Sequence, residues 1–307
     1  MGLKEKLAEF DAQKKEKMAT INKINYAGIP LTIIGVVFIF LVIAVDNIPD
    51  FLAIVAFGFI LIGALLMALA YKKKADLMKE FKKMFIPELL TDLYPDAKYF
   101  DGKGIEIRTI LYPGFFKSPD RSSTKDYFTA SYKGVPFEMS DYDLQEEHRS
   151  TDSQGHTTVT YQTYAKGRMI VIDFKREFDG IVKVMETKWL GASTHGLKKV
   201  ETESLEFNKK FSTYSTDALK TFYILTPQVQ LKLLEMEKKF KGSIFFSFDH
   251  GKFYVAINDS RGTMDFSLKK ELSQEMIDNL SNQLMVPAAV INELKFDSDK
   301  YTRSDAI

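Results

Sequence analysis

Two long uncharged segments near the N-terminus constrain the fold of this chain more than any other feature. Residues 26–45 read YAGIPLTIIGVVFIFLVIAV, and residues 51–71 read FLAIVAFGFILIGALLMALAY. A helix rises about 1.5 Å per residue, so segments of 20 and 21 residues cover the roughly 30 Å hydrocarbon core of a bilayer. Core helices of soluble proteins rarely run so long without a polar face. The sequence therefore predicts a transmembrane helical hairpin over residues 26–71.

The positions of the lysines predict how this hairpin is oriented. Lysines lie on both outer flanks of the hairpin and are missing from the connection 46–50; they are Lys4, Lys6, Lys14, Lys15, Lys17 and Lys23 before it, and Lys72, Lys73, Lys74, Lys79, Lys82 and Lys83 after it. By the positive-inside rule, both termini lie in the cytoplasm. The residues before the first span are mostly polar, unlike a cleaved signal peptide. We therefore expect a multi-pass protein of the cell membrane.

The two spans have the composition of an anchor. Neither contains an ionisable side chain, which disfavours a proton relay or a charged path for transport. Small residues at Gly28 and Thr32, and at Ala64 and Ala68, would let the two helices approach closely.

Helical periodicity continues on both sides of the hairpin. Apolar residues of the segment 1–25 fall on one arc of a helix; they are Leu3, Leu7, Phe10, Met18 and Ile21. We predict a cytoplasmic amphipathic helix over residues 1–25 and a juxtamembrane helical extension over residues 72–86, packed together as an antiparallel stalk. In the alternative, the first helix lies flat on the membrane.

Three consecutive lysines follow the second span directly. Lys72, Lys73 and Lys74 are placed to contact anionic lipid headgroups, at about 1 kcal/mol per charge. The favoured interpretation is that they determine the topology of the hairpin.

The remaining residues, 87–307, predict a cytoplasmic domain built mainly of strands. Short alternating runs are typical of half-buried antiparallel strands; they are Ile105–Thr109, Val135–Met139 and Val159–Thr163. Residues 169–172 are fully apolar and predict a central strand. The runs 243–248 and 252–257 flank Asp249-His250-Gly251, which predicts a tight hairpin.

Helix signals occur late in this domain. Asp217 can cap a short helix, and Thr226-Pro227 combines an N-cap with proline at the first helical position. Further helical stretches are expected over about 269–284 and from Pro287. No strand-helix-strand rhythm is present, so the fold class is α+β: a transmembrane helical hairpin followed by an antiparallel-sheet domain with late helices.

Composition excludes several kinds of chemistry. The chain has no cysteine, which rules out disulfides and thiolate metal sites, and its net charge of +1 gives no field that would collect nucleic acid. His148 and His156 flank a polar hairpin tip, but their spacing matches no known set of metal ligands. The acid pairs Asp141 and Asp143, and Glu201 and Glu203, read as solvent-facing neighbours. We assign no catalytic, cofactor-binding or metal-binding residue.

One segment carries a family resemblance. The run from Lys198 to Met236 has an acidic-aromatic pattern, then Tyr-Ser, then a Leu-Thr-Pro helix start; its residues are Glu203, Glu206, Phe207, Phe211, Tyr214, Ser215, Leu225, Thr226 and Pro227. It resembles the uncharacterised bacterial membrane family known as domain of unknown function 3137. The resemblance implies a two-span anchor with a cytoplasmic domain, implies no catalytic residue, and suggests a LemA-type membrane protein as partner.

The matched residues allow a structural and a functional interpretation. Phe207 and Phe211, spaced i and i+4, would share one buried face of a helix. Glu203 and Glu206 would form a recognition surface if they are exposed.

These features favour a membrane-anchored binding or scaffold module that recognises a protein or lipid partner. A membrane-bound enzyme of unknown reaction is the alternative, although we lean against catalysis. A homo-oligomeric pore with two spans per subunit is less favoured because both spans are apolar. Homo-oligomerisation remains compatible with all three.

The lysine distribution makes a topology prediction. Reporter fusions at residue 1 and at residue 307 should both give a cytoplasmic signal, because every flanking lysine lies on the same side of the hairpin. Paired phosphatase and fluorescent-protein fusions in whole cells measure this. An external signal at either terminus would contradict the hairpin.

Overall fold

The structure is a computed structural model that describes residues 3–44, 49, 51–174, 179–189, 191–264, 268 and 272–298. The chain forms two compact units. The first comprises Met1–Ile86 and Phe266–Asp278, and the second comprises Pro87–Asp265 and Asn279–Ile307.

The first unit is built on two long helices, α1 (Leu3–Ala44) and α2 (Phe51–Leu93), of which α2 ends in the second unit. Both are long and apolar enough to cross a membrane. Each predicted span continues without interruption into its predicted cytoplasmic extension, and Pro30 lies inside α1. Of the connection 46–50, Pro49 alone is described.

Small residues form the contact between α1 and α2 within the apolar segments. Gly28 and Gly35 are buried on α1, and Ala56 and Gly63 are buried on α2. A Cβ atom added to Gly63 would lie 2.7 Å from the carbonyl oxygen of Gly28. The backbones therefore meet where a side chain would not fit.

The sequence identified half of this small-residue contact. Thr32 lies at it, because its Oγ1 atom is the nearest neighbour of a Cβ built on Gly63. The second predicted pair is wrong: Ala64 and Ala68 are exposed. The buried small residues of α2 recur every seven positions, at Ala56, Gly63 and Ala70, rather than at a spacing of four.

Aromatic packing replaces the small residues in the polar part of the hairpin. Phe10 of α1 contacts Phe81 and Phe85 of α2 with ring centroids 5.5 Å and 5.6 Å apart. Beside them, Asp11 accepts hydrogen bonds from Lys14 and from the backbone N–H of Leu272. Burial raises the pKa of Asp11, but the hydrogen bonds outweigh it and lower the pKa to about 2.

The second unit is organised around one antiparallel sheet, which has nine strands in the described residues. They are β1 (Lys98–Phe100), β2 (Arg121–Tyr132), β3 (Val135–Thr151), β4 (Thr157–Asp173), β5 (Ile181–Glu186), β6 (Lys198–Val200), β7 (Phe211–Ser215), β8 (Ser243–Asp249) and β9 (Lys252–Asn258). Their order is β1-β2-β3-β4-β9-β8-β5-β7-β6. The α+β fold class is confirmed.

Six further helices are described. They are α3 (Ile107–Leu111), α4 (Leu205–Lys210), α5 (Ala218–Ile224), α6 (Pro227–Lys239), α7 (Gln274–Leu284) and α8 (Val286–Leu294). The side chains of Asp217 and Thr226 accept hydrogen bonds from the first turns of α5 and α6, so both predicted caps are confirmed. Helix α7 begins at Gln274, later than predicted, and residues 269–271 lie outside the described part.

Two local predictions are wrong. The strand predicted over Ile105–Thr109 is wrong, because α3 begins at Ile107, and the N–H of Ile105 donates to the side-chain hydroxyl of Ser140 on β3. Phe207 and Phe211 do not share a helix, because α4 ends at Lys210 and Phe211 opens β7. Their rings nevertheless meet, with centroids 5.2 Å apart.

Aromatic side chains pack against both faces of the sheet. On one face, Phe116, Trp189 and Phe245 form a mutually contacting cluster, and the indole N–H of Trp189 donates to the carbonyl of Phe115. On the other face, the ring of Phe253 contacts that of Phe296 at 5.1 Å. Trp189 is the one tryptophan of the chain, so its fluorescence reports on this unit.

The packing of α4 predicts a large stability loss on truncation. Phe207→Ala and Phe211→Ala should each lower the free energy of unfolding by about 3–5 kcal/mol, because both rings are buried and their removal leaves a cavity. Urea titration of the full chain in detergent, followed by Trp189 fluorescence, measures this loss. Leu205 lies two residues before Phe207, and its side chain is exposed. Leu205→Ala should therefore change the free energy of unfolding by less than about 0.5 kcal/mol. Phenylalanine variants that unfold like the parent would contradict the burial.

Candidate functional site

An open groove of about 500 Å³ lies on one face of the sheet in the second unit. Carboxylates, amines and hydroxyls dominate its lining, which consists of Asp96, Lys98, Thr129, Ala130, Ser131, Pro136, Phe137, Glu138, Val171, Asp173 and Lys252. The groove therefore carries charges of both signs beside apolar side chains.

Strand register brings these residues together from distant parts of the sequence. Thr129 of β2 lies opposite Lys98 on one side and Glu138 on the other, and Glu138 in turn lies opposite Val171. Residues directly opposite each other in a ladder share one face of the sheet. The row continues through Val171 to Tyr254 of β9. The groove floor is thus a cross-strand row that exists only once five strands have paired.

Three carboxylates of the groove are held in place. Asp96 accepts hydrogen bonds from the N–H and the hydroxyl of Ser131, at 3.0 Å and 2.6 Å, which lowers its pKa. Glu138 accepts a hydrogen bond from the hydroxyl of Tyr127 at 2.8 Å. Asp173 lies 3.6 Å from the amine of Lys252.

The amine of Lys98 differs from these groups. It is exposed, its charge helps to lower the pKa of Asp96, and it forms no ion pair within 4.0 Å in the described part of the chain. The groove therefore offers an accessible cation beside ordered acceptors.

Next to the groove, the cross-strand row reaches Tyr254, which does not line the groove. Burial raises the pKa of Tyr254 strongly, and the nearby charges of Asp249, Asp173 and Glu138 raise it further. The ring of Tyr254 packs against Tyr112 at 5.7 Å.

A buried amine continues the same cross-strand row. Lys183 of β5 lies opposite Ser247 of β8, which lies opposite Tyr254. Lys183 is 5% exposed and donates to the carbonyl of Ser193 at 2.6 Å, and its burial lowers its pKa to about 8 despite the nearby Asp249. The hydroxyl of Ser247 has no hydrogen-bond partner in the described residues. The sequence alone could have indicated this buried lysine, because Lys183 interrupts an otherwise apolar run from Ile181 to Met185.

A second buried polar cluster lies around Asp141. Its carboxylate accepts hydrogen bonds from the hydroxyl and the N–H of Thr263, at 2.5 Å and 2.8 Å, and Arg168 pairs with Asp259 at 2.7 Å. The prediction that Asp141 faces solvent is wrong, since it is 2% exposed. Because Thr263 is 122 residues away, no local pattern could have shown this.

The residues predicted as contact sites are exposed but do not line the groove. Lys72, Lys73 and Lys74 lie on the surface of α2 in the first unit. Glu203 precedes α4, and Glu206 lies in its first turn, 3.6 Å from Lys238.

The loop histidines are also exposed. His148 lies 3.3 Å from Glu146, and His156 lies 3.1 Å from Asp152. No group of three or more potential metal ligands is found among the described residues.

A comparison with protein-family models finds the family that the run from Lys198 to Met236 resembles. The family model DUF3137, described as a protein of unknown function, matches residues 163–296, which are 134 of the 307 residues. This match confirms the family resemblance for that part of the chain. No curated protein matches the sequence.

One solved structure is similar: the crystal structure of the mycobacterial trehalose monomycolate transport factor A, TtfA. It has a TM-score of 0.37 and 7% sequence identity, and the match covers 61% of this chain and 86% of that chain. A likeness at this level carries no argument about ligand or mechanism.

The burial of Asp141 predicts a pH-dependent stability. Burial raises the pKa of its carboxyl to about 7, so the folded chain holds this proton more tightly than the unfolded chain does. The stabilisation is complete below about pH 4 and is lost as the pH rises to about 7, an effect on the order of 4 kcal/mol. Thermal melts followed by Trp189 fluorescence measure it.

The matched variants for this prediction lie on the same strand. Asp141→Asn should flatten the decline in melting temperature between pH 4 and pH 7, since the amide does not titrate. Asp143→Asn, two residues along β3 and only half-buried, should leave the decline as in the parent. An Asp141→Asn profile parallel to that of the parent would refute the role of this carboxyl.

Proposed function

We propose that this protein is a membrane-anchored binding module whose sheet groove recognises a polar segment of a partner protein. The observation that carries the proposal is the groove lining, in which the exposed amine of Lys98 lies beside hydrogen-bonded carboxylates. Convergent polar groups in a concave surface are typical of a recognition site.

The charge pattern favours a peptide-like ligand over a lipid tail. An acyl chain needs an apolar lining, whereas this groove places acids and amines along its length. A protein segment with both charge signs satisfies such a surface. The LemA-type partner that the family resemblance suggests is one candidate source of that segment.

The anchor supports a membrane location for the module. We place it in the cell membrane of a bacterium, with both termini in the cytoplasm, on the lysine distribution around two apolar helices. Lys72, Lys73 and Lys74 would then lie near lipid headgroups, which we retain as a separate proposal.

One observation favours an enzyme as the second candidate. The amine of Lys183, with a pKa of about 8, is partly uncharged near neutral pH, as nucleophilic and basic lysines are. Against this, Lys183 and Ser247 are both buried, so a substrate would need an opening that the described residues do not provide.

A photocrosslinking experiment tests the groove. A benzophenone amino acid replaces Thr129 on the groove floor, and membranes that contain the full chain are irradiated and analysed by mass spectrometry. Binding in the groove should give a specific protein adduct at Thr129, and the same probe at the exposed Ser123, outside the groove on β2, should not give it.

Charge variants then distinguish the groove from the family motif. Glu138→Gln should reduce the adduct about tenfold or more, because it removes a groove carboxylate, whereas Glu206→Gln on α4 should leave it unchanged. Loss of the adduct with Glu206→Gln alone would move recognition to the exposed acids Glu203 and Glu206. A lipid adduct at Thr129, or none, would overturn the proposal.

A further inference from the structure

One edge of the sheet lacks the features that normally protect a free edge. Beyond a register shift at Leu144/Gln145, β3 and β4 extend as an arm that pairs Gln145–Thr151 with Thr157–Thr163. Strand β9 covers β4 only from Arg168 to Asp173. In the described residues, no strand pairs with the outer edge of Thr157–Thr163.

Other edges of this sheet carry charge or are short. The terminal strands β1 and β6 have three residues each and include Lys98, Lys198 and Lys199. On the arm itself, β3 presents Glu146, Glu147, His148 and Arg149. Short edges and edge charges prevent pairing with another chain. The segment 157–163 reads TTVTYQT, with neither charge nor proline.

This edge also exposes two apolar side chains. Among strand residues that the structure describes, Val159 and Tyr161 are the large apolar side chains left exposed, each by 45%. Both lie on the same face of the arm, because they are two residues apart.

We propose that the edge Thr157–Thr163 is an interface that pairs antiparallel with the same edge of a second copy of this chain, about a twofold axis at Thr160. In this register Val159 faces Tyr161 of the second copy, and Tyr161 faces its Val159. The pairing packs these four apolar side chains against one another on one face of the joined sheet. The outer pairs, Thr157 with Thr163 and Thr158 with Gln162, are uncharged, so no like charges oppose each other.

A second copy fits this edge better than an unrelated strand does. The sequence of the edge is complementary to itself under the twofold operation, as an isologous interface requires. A seven-residue ladder alone is a small interface, but two anchored copies in one membrane meet at a raised effective concentration. The arm includes no residue of the groove, so the pairing goes beyond the proposed recognition function. A negative result for one of the two proposals does not affect the other.

Cysteine crosslinking of the full chain tests this register. The chain contains no cysteine, so each introduced thiol is unique. At the twofold axis, residue 160 faces its own counterpart at about 4.5–5.5 Å between Cα atoms, within disulfide reach. Residue 158 lies about 13 Å from its counterpart, beyond that reach.

In oxidised membranes, Thr160→Cys should therefore give a reducible dimer of twice 35.1 kDa, and Thr158→Cys should not. Both side chains are exposed on the same face, which makes them matched probes. Thr158→Cys and Gln162→Cys, expressed in the same cells, should give the dimer only together. Val159→Lys should reduce the Thr160→Cys dimer roughly tenfold while leaving the Trp189 melt unchanged.

Four outcomes would overturn the proposal. They are the absence of a Thr160→Cys dimer, equal dimers from Thr160→Cys and Thr158→Cys, a dimer that persists in the Val159→Lys background, and an adduct to a protein of another mass.

Discussion

The pairing of β3 with β4 is the interaction on which the rest of the second unit depends. It sets Glu138 opposite Val171 in the groove and Asp141 opposite Arg168 in the buried polar cluster. A slip of one residue would move every side chain of one strand to the other face of the sheet. The register shift at Leu144/Gln145 divides the ladder into a part packed within the sheet and an arm whose outer edge on β4 has no paired strand among the described residues.

Buried polar groups in this unit fasten loops to the sheet. Asp141 holds the backbone and hydroxyl of Thr263, and Lys183 holds the carbonyl of Ser193, whose N–H donates to Gly114. The indole of Trp189 reaches the carbonyl of Phe115 in the same way. Each polar side chain loses water on burial, and a loop carbonyl or amide supplies the replacement partner. These hydrogen bonds add to the apolar contacts that Phe116 and Trp189 make in the core.

Local sequence signals predicted much of this fold, because apolar length, alternation and helix caps act over a few residues. The two long helices, the hairpin at Asp249-His250-Gly251 and the caps at Asp217 and Thr226 follow from such signals. The groove did not, because Lys98, Glu138 and Lys252 meet only through the order of the strands. Burial of Asp141 was missed for the same reason. The strand predicted over Ile105–Thr109 is wrong, since α3 begins within it at Ile107.

The contact between the two spans has a consequence for how this sequence can change over time. Buried positions on α1 and α2 recur every seven residues, with Gly28 against Gly63 and Gly35 against Ala56, while bulky side chains such as Phe40 and Ile54 are exposed. An outward side chain meets only its surroundings, so many apolar types serve there equally well. Where the two helices touch, a methyl group added to a glycine forces the backbones apart. Descendants of this chain can therefore exchange nearly every bulky residue of the spans. Substitutions at the contact between the two helices are limited to the smallest side chains.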